Sequence, residues 1–409
     1  MKFLDKVLSF GEDLGEVFSL YNKLNTAIFS AEKNKFLMRP TYALINLTNL
    51  KKNFLNIRKK VKPAKVMAVV KADAYGHGVK ETCLALNSLD DKKPDYYAVA
   101  FIDEAIELRS LGVNEPILIF EPVIEHDAES VYRFDLIPTV FTKKHIDDLR
   151  NNKPSYFNRK LKVHVKVDTG MNRLGINFNN AVEFMSKLNH DDNFILDGTY
   201  THFATSDEKN KTFANLQLKR FKQFLNELNT KNIKYGLAHA ANSGAILDMP
   251  EAYFDIVRPG VTLYGNYPSL ETTESIRLYP VMSLISHVAS VMIINKGESV
   301  SYGRKFIAKK KTKIISVPIG YADGFNRSFT NRFKAIIKRK YYNQVGTVTM
   351  DRIMFEVHND NIKVGEEVIL LGKRNKLEIN AWDWSKKLNT IPYEITCSIS
   401  KRVMRVYTY

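Results

Sequence analysis

Apolar residues recur at two different periods along the chain, and the change of period divides it. From Leu4 to Ile28 they fall at three-and-four spacing (Leu4, Val7, Leu8, Leu14, Val17, Phe18, Tyr21, Leu24, Ile28). That pattern predicts an amphipathic helical extension over residues 1–37, the last part a linker. A second helix is predicted after Asn49, with Leu50, Phe54, Ile57 and Val61 on one face and Pro63 ending it. Short β-rich apolar runs then alternate with helical segments, at 66–70, 96–101, 117–120, 136–140, 161–167, 196–202, 235–239 and 254–257. Eight such runs predict a (β/α)8 TIM-type barrel within residues 38–278. Past about residue 278 the helical period fades. Strand-like runs between Gly turns follow at 286–295, 313–318, 345–349, 353–357 and 367–371, with one helix near 381–388. The fold class expected is α/β, the barrel followed by a C-terminal mostly-β domain over 279–409.

Composition narrows the function classes. Hydrophobic residues make up 44% and charged residues 26%, ordinary for a globular chain able to bury a large core. The two cysteines, Cys83 and Cys397, supply neither a disulfide framework nor a metal-ligand cluster. Met1-Lys2-Phe3-Leu4 starts like a signal peptide, but Asp5, Lys6, Glu12 and Asp13 break any apolar core. No run is long enough to span a membrane, so a cytoplasmic location is expected. Through residue 36 five lysines offset five acids, which argues against a basic membrane anchor and for packing on this protein or a partner subunit. The net charge is +17, and residues 304–342 hold 12 Lys/Arg against one acid, Asp323. A polyanion surface and a solvated lysine-rich face both fit such a cluster. Without stacking aromatics or a nucleic-acid-binding signature the solvated face is favoured, and no nucleic-acid partner is expected.

Reactive groups in such barrels sit where strands end. The first run closes in Lys71, followed by Ala72-Asp73-Ala74-Tyr75-Gly76-His77-Gly78. A lysine there either snorkels to solvent or, desolvated, loses proton affinity and becomes a nucleophile for a carbonyl. Position alone leaves the two readings even. The other strand ends shift the balance, because they bring Arg173, His202, Ser243 and Arg258 to the same mouth. Ser243 beside Gly244 opens a helix, where outward N–H groups suit a phosphate. A capping serine and a core histidine are the commoner readings of Ser243 and His202 taken singly. One lysine, two arginines and a phosphate cradle together are not.

The segment 70–78 resembles the cofactor-lysine signature of the alanine racemase family. The likeness continues through Asp168–Gly175, Thr201–Ala204, Asn242-Ser243, Val257–Gly260, Ser301–Arg304, Gly320–Gly324, Met350-Asp351 and Pro392–Glu394, in the family's order, over about residues 38–409. It implies a pyridoxal 5'-phosphate enzyme that interconverts L- and D-alanine for peptidoglycan. Lys71 would bind the cofactor covalently and move the α-proton on one face, and Tyr302 on the other. Tyr75, Ser243, Gly260 and Tyr393 would hold the phosphate. Arg173 would meet the cofactor's phenolic oxygen and the substrate carboxylate, and Lys166 matches a position often carbamylated, orienting Arg173. His202 would bridge Tyr302 and Arg258. Met350, Asp351 and Tyr321 would line the substrate side. The resemblance also implies a head-to-tail homodimer, with Tyr302 and Met350 reaching the partner's barrel.

Arg258 carries its own argument. An arginine at the cofactor's ring nitrogen cannot take the ring proton, since its pKa exceeds 12. The ring is then a weaker electron sink, which favours prompt reprotonation over transamination. The nearest alternative is a broader-specificity or serine racemase on the same scaffold, because specificity lies in pocket volume. A basic-amino-acid decarboxylase would place an acid where Arg258 stands. A barrel-only cofactor carrier would lack Tyr302 and the β domain. Residues 1–37 and Arg352 depart from the family's usual pattern.

Overall fold

The computed structural model describes residues 39–409. The helical extension predicted over residues 1–37 lies outside the described residues. The chain enters through β1 (Tyr42–Asn46), whose burial alternates residue by residue. Asn46 caps the helix Leu47–Val61, its Oδ1 accepting from Asn49 N at 2.7 Å. Leu50, Phe54, Ile57 and Val61 form the buried face, as the spacing predicts.

Eight parallel strands follow at the expected places: β2 (Lys65–Val69), β3 (Tyr96–Val99), β4 (Ile117–Ile119), β5 (Ile137–Val140), β6 (Leu161–Asp168), β8 (Phe194–Tyr200), β9 (Leu237–His239) and β10 (Ile256–Val257). A short β7 (Ile176–Asn177) pairs only with β6. The sheet runs β10-β2-β3-β4-β5-β6-β8-β9. Backbone bonds from Asp255 N to Ala238 O (3.0 Å) and from Arg258 N to Ala241 O (2.9 Å) bridge the seam between β9 and β10, so the barrel is nearly closed. Strands sandwiched between helices and barrel interior are buried on both sides, which is why they read as near-continuous apolar runs.

The C-terminal domain contains β11 (Met282–His287), β12 (Ser290–Ile294), β13 (Ser299–Val300), β14 (Phe306–Ile307), β15 (Thr312–Val317), β16 (Lys334–Ile337), β17 (Lys340–Asn343), β18 (Ile353–His358), β19 (Glu367–Arg374), β20 (Leu377–Ile379) and β21 (Met404–Thr408). Its main sheet runs β17-β16-β19-β11-β1-β21, so the strand that begins the described chain sits inside it, antiparallel to β11 and parallel to β21. A second sheet, β12-β15-β18, carries the surface that bears Tyr302. Trp384 anchors this domain's core, ringed edge-on by Phe325, Phe329 and Phe333 at 5.0–5.4 Å, with its indole N–H bonded to Leu370 O. The helix Ala381–Leu388 falls where predicted, while residues 345–349 form no strand and the helix Pro392–Ser398 was not foreseen. No helix among the described residues is long and apolar enough to cross a membrane.

Candidate active site

After β2 the chain makes a left-handed helical turn. Ala72, Asp73, Ala74 and Tyr75 all have φ between 51° and 55°. Left-handed helix costs roughly 1–2 kcal/mol per L-residue, so the turn must be held from outside. Asp73 Oδ1 accepts from Val79 N (2.8 Å) and Glu104 Oε1 from Ala72 N (2.6 Å). The helix Pro392–Ser398 closes on it so tightly that a Cβ at Gly76 would lie 2.3 Å from Thr396 O. The turn presents Lys71, half-buried, at the barrel mouth and folds Tyr75 back inward.

Tyr75 meets Ser243 and Gly260 there. Gly260 N donates to Ser243 Oγ at 3.0 Å, and Thr262 Oγ1 lies 3.1 Å from the same oxygen. A Cβ built on Gly260 would stand 2.5 Å from the Tyr75 hydroxyl and 3.8 Å from Ser243 Oγ. Tyr393, on the helix Pro392–Ser398, packs its ring 6.0 Å from that of Tyr75, and Tyr264 lies 4.9 Å away on the barrel side. Hydroxyls and N–H groups thus converge on a space that one methyl group would fill.

The neighbouring wall is cationic. Burial first, then Arg173, lowers the Lys71 ammonium from the usual lysine range, opposed by Glu104 and Glu121. Lys166 is only 6% exposed, and among the described residues no carboxylate forms an ion pair with it. Burial, Arg173 and Arg258 bring it down to about 8. Arg258 is buried, donating from Nη2 to Thr201 O (2.7 Å) and Ala240 O (2.9 Å). Its Nη2 also lies 3.3 Å from His202 Nδ1. Nη2 has two protons, directed mainly at the two carbonyls, so the approach to His202 is a longer, shared contact; because a guanidinium offers no acceptor, it favours a neutral His202 with its proton on Nε2. Burial and Arg258 hold His202 well below its ordinary range, in keeping with a neutral ring.

The chain therefore gathers Lys71, Tyr75, Lys166, Arg173, His202, Ser243, Arg258, Gly260 and Tyr393. The remaining residues singled out from sequence lie on the β domain. Tyr302 is 75% exposed beside a cavity of about 640 Å³ whose lining, including Ser316, Thr349, Arg352 and Met354, comes wholly from that domain. Its loop is set by Thr347 Oγ1 donating to Tyr302 O (2.6 Å) and by positive φ at Ser301 and Arg304. Met350 and Tyr321 are exposed, and Asp351 pairs with Arg402 at 2.6 Å. Sequence reasoning gave no role to His239, His164, Asp197, Tyr200 or Thr262. The signal for His239 was its place at the end of the seventh run.

Residues 45–268 match the family model for the alanine racemase N-terminal domain, and residues 281–407 that for the alanine racemase C-terminal domain. The chain belongs to the alanine racemase family. Alanine racemase 2 of Caldanaerobacter subterraneus subsp. tengcongensis is 42% identical over 378 residues, 91% of this chain and 96% of its own. Among solved structures, alanine racemase of Clostridium difficile 630 matches with a TM-score of 0.86 at 38% identity, covering 91% of this chain and 96% of its own. The enzyme from E. faecalis matches at 0.86 with 32% identity, covering 91% and 99%. The protein is thus a pyridoxal-5'-phosphate-dependent racemase, an isomerase. The site suits that cofactor: the Tyr75–Ser243–Gly260 cradle fits a phosphate, and Lys71 stands at the same mouth.

Proposed function

We propose that the enzyme interconverts L-alanine and D-alanine, supplying the D-isomer for peptidoglycan, and acts in the cytoplasm as a head-to-tail homodimer. The observation that carries this is a half-buried lysine, the Tyr75–Ser243–Gly260 cradle and a buried arginine brought to one barrel mouth. Tyr75, Ser243, Gly260 and Tyr393 would hold the phosphate, and Arg258 would face the ring nitrogen. Arg173 receives the substrate carboxylate with help from Met350, while Asp351 and Tyr321 line the approach. Bound pyridoxal phosphate supplies an electron-withdrawing ring that acidifies the substrate's α-C–H.

Racemisation then needs one acid/base group on each side of a planar carbon. Lys71 Nζ serves one side, since its lowered proton affinity leaves more neutral amine to accept the α-proton. The Tyr302 hydroxyl serves the other. Within one chain that tyrosine faces a cavity lined by its own β domain, which supports its delivery to the mouth of a partner barrel. There the Nε2–H of His202 is free to donate to it. Lys166, whose fall to about 8 leaves more of it as neutral amine near neutral pH, adds to carbon dioxide through Nζ and gives up a proton to solvent, and the resulting carbamate orients Arg173.

A coupled-enzyme or polarimetric assay with L-alanine, L-serine, L-lysine and L-glutamate tests the reading. Fast racemisation confined to alanine supports it. Broad turnover or a preference for serine moves the enzyme to a sister specificity on the same scaffold.

A further inference from the structure

Behind Arg258 a row of buried polar side chains threads the barrel interior, and none of the roles above uses it. Arg258 Nη1 lies 2.7 Å from His239 Nδ1. His239 Nε2 lies 3.0 Å from His164 Nδ1, and His164 Nε2 lies 3.3 Å from Asp197 Oδ2. Because a guanidinium only donates, the direction of every proton follows. His239 accepts at Nδ1 and keeps its proton on Nε2. That proton is given to His164 Nδ1, so His164 carries its own on Nε2, aimed at Asp197. Burial lowers both imidazoles below the ordinary histidine range, in keeping with two neutral rings. Asp197 also accepts from the Tyr96 hydroxyl at 3.0 Å and pairs with Lys162 at 3.1 Å.

Barrel interiors of this class are ordinarily filled by branched apolar side chains. Here the backbone makes room for an imidazole instead. A Cβ on Gly198 would lie 2.5 Å from the His164 ring, and the register of β6 against β8 slips between Val163 and His164. Tyr200 stacks on His239 at 4.7 Å and 6°, fixing its plane, and the Arg258 guanidinium lies 5.3 Å from the Tyr200 ring centre. Every member of the row has a partner, which a buried polar network requires.

We propose that His164 and Asp197 are positioning residues for racemisation: they lock His239 as the Nε2–H tautomer, whose Nδ1 aims Arg258 at the cofactor's ring nitrogen, an inference resting on the reading that Arg258 faces that nitrogen. Without His164 the Nε2–H of His239 loses its acceptor, the ring loses its fixed orientation, and Arg258 loses the Nδ1 that holds its Nη1.

The test compares His164→Gln with His164→Leu in the holoenzyme. Glutamine accepts from His239 through Oε1 and donates to Asp197 through its amide, so the direction survives. Leucine fills the space and breaks both bonds. Losing a buried hydrogen bond of about 1.4 kcal/mol corresponds to roughly tenfold, so the leucine variant should lose about tenfold in kcat. Its KM for alanine should hold, and the visible band of the lysine-bound cofactor should shift. The glutamine variant should restore rate and band. A packing role predicts the opposite order, and leucine equal to or better than glutamine overturns the proposal. Should the leucine variant fail to fold, 15N-histidine NMR of the unmutated holoenzyme decides. Two neutral Nε2–H imidazoles support the lock, and a doubly protonated or Nδ1–H His239 sinks it. Arg258→Lys separates the two levels. If it leaves band and rate unchanged, the reading of Arg258 itself fails; if it alters them while His164→Leu does not, only the lock is overturned.

Discussion

Adding one methyl group at Gly260 is the smallest perturbation of the phosphate cradle. The backbone there has φ −110°, outside the left-handed region that favours glycine. The cost of a new side chain to the cradle is steric and local. The new Cβ would stand 2.5 Å from the Tyr75 hydroxyl, well inside van der Waals contact. Tyr75 cannot simply swing aside, because its ring lies between Tyr264 and Tyr393 at 4.9 and 6.0 Å and its backbone is fixed in the left-handed turn. Either the hydroxyl leaves the cradle or the methyl occupies part of the phosphate's place. Each alternative removes at least one hydrogen bond to a charged group, about 1.5–3 kcal/mol. At about 1.4 kcal/mol per tenfold, the apoenzyme's affinity for pyridoxal phosphate should fall roughly 10- to 150-fold. The assay is titration of the apoenzyme, following the visible band. The thermal midpoint without cofactor should fall far less than the affinity. Unchanged affinity in a folded Gly260→Ala protein would refute the cradle.

Three further outcomes follow from the same geometry. Lys71→Ala should abolish the visible band and Tyr302→Phe should keep it, each homodimer being nearly inactive in at least one direction; mixed dimers of the two should regain activity, because one of their two mouths holds both native residues, and no recovery would contradict the shared site. With carbon dioxide excluded, so that Lys166 stays a free amine, it falls from 10.5 to about 8, roughly 3 kcal/mol at about 1.4 kcal/mol per pH unit. The unfolded chain then binds more protons between these values, so stability from this group rises with pH across that window; Lys166→Met should raise urea resistance at pH 7 by up to that amount and much less at pH 10, and an equal gain at both would rule the assignment out. Gly198→Ala, which drives a methyl into the buried His164 ring, should cost about 1–3 kcal/mol in denaturant stability, and an unchanged midpoint would mean that β8 yields there freely.

The barrel was legible because its strands are buried on both sides and its helices on one, so each period stands out in the sequence. The residues at the strand ends were legible only as a group, because one lysine, two arginines and a serine-glycine helix start at one mouth have few structural uses together. What escaped reading depends on contacts remote in sequence. Residues 345–349 have strand-like composition, yet Val345 N bonds to Met354 O, Val348 N to Thr330 Oγ1 and Thr349 N to Arg352 O, so only an isolated bridge at Gln344 remains. The hairpin β16–β17 lies in the basic stretch, where lysines at its ends mask the buried Ala335, Ile336 and Ile337. The helix Pro392–Ser398 is short and gains its meaning from the left-handed turn it closes upon. His164 and His239 are single histidines in different strands, and nothing local tells either that the other is its partner.

The position of β1 makes the two domains of this enzyme inseparable by any single cut. A barrel excised at residue 278 would carry away a strand from the interior of the other sheet, and the remaining β domain would hold β11 and β21 apart with nothing between them. Of the described strands, β1 leaves the ribosome first and finds its neighbours last, so its hydrogen-bonding edges stay open while the whole barrel is made. A circular permutant that carries β1 to the far end of the chain, next to β21, would remove that wait and turn the barrel into a portable module.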